Sequence, residues 1–296
     1  MSTVKTALMA LLLVGLTAHQ TLAAEPEAKP TEVPAVPKGE PTIKVKPFGI
    51  QLGAELGFLG VPFHIIQFST DGSRFDYVEE GGQNVLFLFA RFEIDLQVDN
   101  DHHVTFLYQP ISLENDVVLP RDIRADGVDF LRGTPTTVSY DFPFFRASYW
   151  FDFFEDPRYE LSFGGGLQLR NATYTLKSAN GEQLITRRDI GPVPLLKFRG
   201  TYRFDDGWFV GFEADGFYAP ISVLNGSDTE VTGAILDFSL RAGYQLPNND
   251  AELFLNLRWL AGGAVGESDP QELSDGYQKN WLHFLAVSIG ARYQLL

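Results

Sequence analysis

Five histidines, at positions 19, 64, 102, 103 and 283, and no cysteine set the limits of the chemistry open to this 296-residue chain. Without a thiol there is no thiol nucleophile, no thiolate metal site, no disulfide framework and no lipidated N-terminal cysteine. A histidine beside a carboxylate can serve as a general base. His19 lies in a leader-like segment, however, and His102 and His103 flank a turn, where a solvated or headgroup-level position is expected. Glu267, Asp269, Glu272 and Asp275 offer oxygens to a divalent ion, and Asp71, Ser73 and Asp76 do so more faintly. Solvated loops fit both stretches better, and neither a metal nor a cofactor is expected. Gly164-Gly165-Gly166 has no helix after it, so it reads as a bend or close-packing point in a strand, not a phosphate cradle.

The larger body of ionisable residues alternates with apolar ones, and that period of two identifies the elements that must position them. In 84–98, Leu86, Leu88, Ala90, Phe92, Ile94 and Leu96 fall on one face, opposite Arg91, Glu93, Asp95 and Gln97. The pattern recurs in 160–170, 234–246 and 285–295. About ten such segments are read: 47–58, 84–98, 102–113, 136–154, 158–176, 193–204, 207–221, 231–246, 250–262 and 281–295. Their connections alternate short and long, with tight turns at 99–101, 155–157, 205–206 and 247–249 built from turn-forming residues. Long apolar faces, aromatics at strand ends (Tyr149, Phe151, Phe153, Trp281) and charges of both signs on the other face predict an inside-out arrangement. The fold class expected is all-β: a closed antiparallel up-and-down transmembrane barrel of about ten strands, with eight or twelve as alternatives. A soluble barrel or sandwich shares the alternation and is the competing reading.

Composition and the N-terminus agree with export. Residues 1–24 combine Lys5, the apolar run Ala7–Leu16 and the small residues Ala23-Ala24, as a secretory signal does. Residues 25–47 carry prolines at 26, 30, 34, 37, 41 and 47, which predicts an extended periplasmic tether ahead of a barrel over 48–296. A net charge of −15 and a pI near 4.7 exclude nucleic acid as a partner. In the long loops Arg121, Arg124 and Arg132 are diluted by Asp122, Asp126 and Asp129, so no basic cluster forms there.

The stretch Phe145-Arg146-Ala147-Ser148-Tyr149-Trp150-Phe151-Asp152, then Glu160-Leu161-Ser162-Phe163-Gly164-Gly165-Gly166-Leu167-Gln168-Leu169-Arg170-Asn171-Ala172, resembles uncharacterised Gram-negative outer-membrane barrel proteins. The similarity continues through Val193-Pro194-Leu195-Leu196 and the final stretch Asn280–Tyr293. It implies an outer-membrane location and a barrel fold, but no reaction. Such barrels usually end on an aromatic residue that the assembly machinery reads; here the chain runs past Tyr293 to Gln294-Leu295-Leu296.

In a barrel of about ten strands the inward set would be Arg91, Glu93, Asp95, Arg146, Asp152, Glu160, Arg170, Arg199, Glu213, Asp215, Asp237, Arg241, Arg258 and Arg292. Charges in so narrow a lumen must be paired, which predicts a salt-bridge plug and a structural or surface-interaction role. A narrow conduit for ions or small solutes is the alternative. A third reading, a rim hydrolase acting on lipid A or peptides, would use His64 and His283, which barrel closure would bring toward the outer rim. The partners expected are outer-membrane lipids, lipopolysaccharide and the barrel assembly machinery.

Overall fold

A computed structural model describes residues 48–99, 101–154, 156, 158–220, 232–247, 250–267 and 275–296. The expected signal (1–24) and tether (25–47), together with Asp269 and Glu272, lie outside the described residues.

Among the described residues fifteen strands run in chain order. They are β1 (Phe48–Phe68), β2 (Phe75–Asp76), β3 (Phe87–Val98), β4 (His102–Gln109), β5 (Ser112–Val118), β6 (Ile123–Ala125), β7 (Val128–Phe130) and β8 (Pro135–Asp141). After them come β9 (Phe144–Asp152), β10 (Tyr159–Ser178), β11 (Leu184–Arg203), β12 (Trp208–Pro220), β13 (Thr232–Gln245), β14 (Ala251–Glu267) and β15 (Tyr277–Gln294). Ten of these form the barrel wall, in the order β1-β3-β4-β9-β10-β11-β12-β13-β14-β15, every neighbour antiparallel. β15 returns to β1, with Leu56 opposite Ile289 and Phe58 opposite Val287, so the sheet closes on itself. The expected ten-stranded closed barrel is what the chain forms. Pairing of β15 with β1 removes the two terminal edges that lipid would not tolerate.

The faces are inverted relative to a water-soluble domain. Leu56, Leu88, Phe145, Leu255, Val287 and Ile289 point outward and are exposed, Leu88 at 85%. Arg91, Arg146, Glu213, Asp215, Asp237 and Arg258 point inward and are buried. Aromatics rim the apolar belt: Tyr149, Tyr159, Tyr202, Phe204, Trp208 and Tyr293 at the end holding the short turns, and Trp259 and His283, their ring centroids 5.8 Å apart, toward the other. A belt of outward apolar side chains between aromatic girdles is the exterior that a bilayer selects.

The strands reach farther on the long-loop side than the alternation suggested. The segment 177–192, expected as a loop, is mostly strand: β10 and β11 pair from Tyr159↔Tyr202 up to Lys177↔Leu184. β1 likewise continues to Phe68, past a register shift between Gly60 and Phe63. Here the alternation keeps its phase but the two faces exchange polarity. On β10 the outward positions become Asn171, Thr173, Thr175 and Lys177, while Ala172, Tyr174 and Leu176 are buried inside. A second core sits at this level, in the half of the barrel that holds the long connections. Phe68, Phe75, Tyr77, Tyr140, Phe142, Tyr174 and Phe284 pack together there, joined by Ile123 and Phe130 of the small β6–β7 hairpin.

Candidate functional site

The lumen is occupied by two stacked layers, one ionic and one aromatic. The ionic layer is built on residues that alternate with the outward apolar set, so the pleat alone turns them inward. Its centre is Asp237 on β13. One carboxylate oxygen accepts from Arg91 on β3 (3.2 Å) and Arg146 on β9 (3.0 Å), the other from Arg258 on β14 (2.6 Å). β3 and β9 stand across the ring of strands from β13, so these bonds cross the barrel axis. Arg146 also pairs with Asp215 on β12. Glu213 accepts from Lys197 (2.6 Å) and Arg241 (2.7 Å). Glu55 on β1 lies 3.3 Å from Arg258 and accepts from Asn256 and Ser288, each at 2.8 Å. Isolating any of these charges would cost several kcal/mol; mutual pairing with spare hydrogen bonds offsets that cost.

Nearer the short-turn end, Glu160 pairs with Arg199 (2.6 Å), Arg203 with Glu252 (3.2 Å), and Arg292 with Glu93 (3.4 Å). Asp95 accepts from His103 (2.8 Å), whose ring lies 3.5 Å from that of Trp150 and nearly parallel to it. His103 is therefore buried inside the barrel, contrary to the solvated position expected for it. Alternation explains this: His102 points outward against Tyr149, and its neighbour must point in.

Of the inward set expected, Arg91, Arg146, Glu213, Asp215, Asp237, Arg241 and Arg258 come together, and Glu93, Asp95, Glu160, Arg199 and Arg292 form the pairs below them. Asp152 and Arg170 stand apart. Asp152 accepts from the backbone N–H groups of Leu161 (3.0 Å) and Phe154 (3.2 Å), holding the turn between β9 and β10. Arg170 lies in the half that holds the long connections, beside Tyr174 and 3.0 Å from its hydroxyl. Glu55, Lys197 and Glu252 belong to the network and were missing from the expected set. Their inward phase was visible, since Glu55 alternates with Leu52, Ala54, Leu56 and Phe58.

Above the ions lies the aromatic layer, centred on His64. Its Nδ1 is 2.9 Å from Gln83 Oε1, and its ring stacks on Tyr77 at 4.3 Å and meets Tyr140 edge-on at 4.6 Å. Tyr77 and Gln83 come from the segment between β1 and β3, which folds down into the barrel mouth. Arg121–Glu80 (2.5 Å), Arg124–Asp71 (3.2 Å) and Arg187–Asp126 (2.5 Å) tie this segment, the β6–β7 hairpin and β11 to one another. Asp71 is thus paired with an arginine, and Asp275 holds Thr70 through its amide (2.9 Å) and its hydroxyl. Among the described residues no group of acidic or histidine side chains is arranged to hold a metal. His283 stands opposite Phe63 in register and His64 opposite Leu282, so the two histidines face opposite sides of the sheet. His283 keeps the outward phase of Leu285 and Val287, as alternation predicts, and the pairing that a rim hydrolase would need does not form.

No protein-family model and no curated protein sequence matches the chain. Among solved structures it is similar to the outer membrane protease OmpT from Escherichia coli, at 14% identity and a TM-score of 0.48, over 86% of this chain and 99% of that one. It is also similar to Ail, the attachment invasion locus protein of Yersinia pestis, crystallised with a heparin analogue (13%, TM-score 0.33, 83% and 99%). The toluene transporter TodX of P. putida gives 9% and 0.33 over 83% and 90%. These are likenesses of barrel architecture, and no activity passes from those proteins to this chain.

Proposed function

We propose that the chain is an integral barrel of the Gram-negative outer membrane whose lumen is closed to axial flow, and which acts as a structural or surface-interaction protein through its outer segments. The observation that carries this reading is Asp237, bonded at once by Arg91, Arg146 and Arg258 from walls on both sides of the axis. A ten-stranded barrel has little lumen to spare, and the layer over His64 fills what the ions leave. The reading is non-enzymatic. In support of it, the two rim histidines point apart and His103–Asp95 is walled in by Trp150. Insertion by the barrel assembly machinery and contact with membrane lipids and lipopolysaccharide follow from the same reading.

Two measurements test it. In cell fractionation the protein should be found with the outer membrane and migrate differently on a gel before and after boiling. In planar bilayers the purified barrel should show no conductance steps. Reproducible steps at low voltage would favour the narrow conduit instead.

A further inference from the structure

Among the described residues, the barrel wall loses its ladder between β11 and β12. These strands pair from Leu196↔Gly216 to Arg203↔Phe209, and at the next positions of β11, 192–195, the pairing does not continue although β12 runs on to Pro220. Continuing that register two residues at a time would set Pro194 opposite Tyr218 and Pro192 opposite Pro220. Proline has no N–H to give. Yet Pro192 and Pro194 keep register with Leu169 and Leu167 of β10. That unbroken ladder draws its bonds from Gly191, Val193 and Leu195, so the donors missing at 192 and 194 are those that would have faced β12. Proline thus makes this stretch of β11 an edge.

Behind the seam the lumen lining changes character. Val193, Phe217, Ile235 and Leu260 present an apolar patch to a cavity of about 80 Å³, and Gln168 and Arg170 also line it. Gln168 is wholly buried; its Oε1 accepts two bonds from Arg146 (3.1 and 2.7 Å), while its Nε2 has no protein partner. Arg170 gives one bond to Tyr174 and lies 3.9 Å from Asp189, while its buried Nε has no protein partner. Gln168 and the Arg170 cation therefore line a cavity whose other wall is apolar. On the outer surface Ile190, Leu196 and Tyr218 are exposed beside the seam, Tyr218 at 72%. The seam lies ten residues up β11 from Arg203, a climb of about 25 Å at roughly 3.3 Å per residue and a tilt near 40°. That is the level of the outer leaflet.

We propose that the seam is a side entrance from the bilayer, and that the cavity behind it binds the carboxylate head of a single-chain amphiphile such as a fatty acid. The tail stays against Phe217 and between the two strands. A cavity of this size holds several water-sized groups, enough for a carboxylate and its first carbons but not for a glycerophosphate with two chains. The proposal rests on the membrane orientation above but not on the lumen being closed.

Photolabelling of the full chain in phosphatidylcholine vesicles tests this. A diazirine-bearing palmitate, the same tail as an alcohol, and a diazirine-bearing phosphatidylcholine are the three probes. The acid should label 190–196 and 217–220 at least fivefold more than either control, and excess oleate should compete it away. Arg170→Gln should abolish that excess. Because the chain has no native cysteine, Leu195→Cys with Phe217→Cys gives a reversible staple across the seam. Labelling should fall when it is oxidised and return when it is reduced, a comparison within one folded sample. Equal labelling by acid and alcohol, preference for the two-chain probe, or indifference to the staple would overturn the proposal. Conductance through the same vesicles would instead count against the closed lumen and leave the side entrance standing.

Discussion

Asp237 and its three arginines invite a direct measurement. Replacing Asp237 with Ala leaves three buried guanidinium groups short of a partner, and should cost about 3–5 kcal/mol. The loss should appear as a lower urea midpoint for the gel-mobility transition, with planar-bilayer conductance still silent. Arg146→Ala should behave alike, since Asp215 and Asp237 both lose a partner. A second test concerns pH. Thr70 donates its amide and hydroxyl to the charged form of Asp275, which holds that carboxyl below the usual carboxylate range. The clasp is therefore in place above the ordinary carboxylate pKa and is released as pH falls through the lowered one. Thr70→Val should raise the Asp275 titration midpoint, read by NMR in micelles; an unmoved midpoint would remove the assigned cause. At this scale the inward parity of most ionic residues was legible from alternation, whereas a solvated position for His103 follows only when its nearness to a turn is weighed above its phase. What alternation could not supply was partnership: that Asp152 serves a turn, or that Gln83 reaches His64 from a segment with no regular pattern.

Between whole strands, spacing depends on where side chains are absent. A Cβ on Gly164 would lie 2.0 Å from the carbonyl oxygen of Tyr149 and 2.6 Å from the Cα of Trp150, so β10 approaches β9 at this point as only glycine allows. Gly164→Ala should therefore force the two strands apart and destabilise the barrel by about 1–3 kcal/mol, seen as a lower yield of the heat-modifiable species. Gly133, with no atom within 4 Å of a Cβ, meets no such packing conflict, although its φ of +84° strains other residues. The close-packing role expected of the glycine run is the one the structure gives it. Strand number and order were also legible, because ten segments with turns of alternating length leave few ways to close. Strand length was not. Above the belt, water replaces lipid outside and aromatics replace ions inside, so alternation persists on β10 with its polarity exchanged. Lys177 and Leu176 there resemble a loop only if one polarity is assumed throughout. The prolines of β11 were equally visible as residues, but their meaning depended on which neighbour each missing N–H would have faced.

As a whole, the molecule joins two folding regimes along one set of strands. The lower part requires hydrocarbon outside and pairs its charges within; the upper part is ordered like a small water-soluble barrel with an aromatic interior. The exchange falls at nearly the same height around the wall: between Leu169 and Asn171 on β10, between Ile190 and Arg188 on β11, and between His283 and Lys279 on β15. This boundary fixes how deep the protein rides. Sinking by a few residues would drag Lys177, Arg188 and Lys279 below the headgroups, at a cost rising from near zero at the surface to about 2–4 kcal/mol each at the midplane. Rising would strip acyl chains from Leu285 and Leu257. In lipids with longer tails the surrounding leaflets must therefore thin to meet the barrel, leaving a dimple around it whose depth is written into the chain.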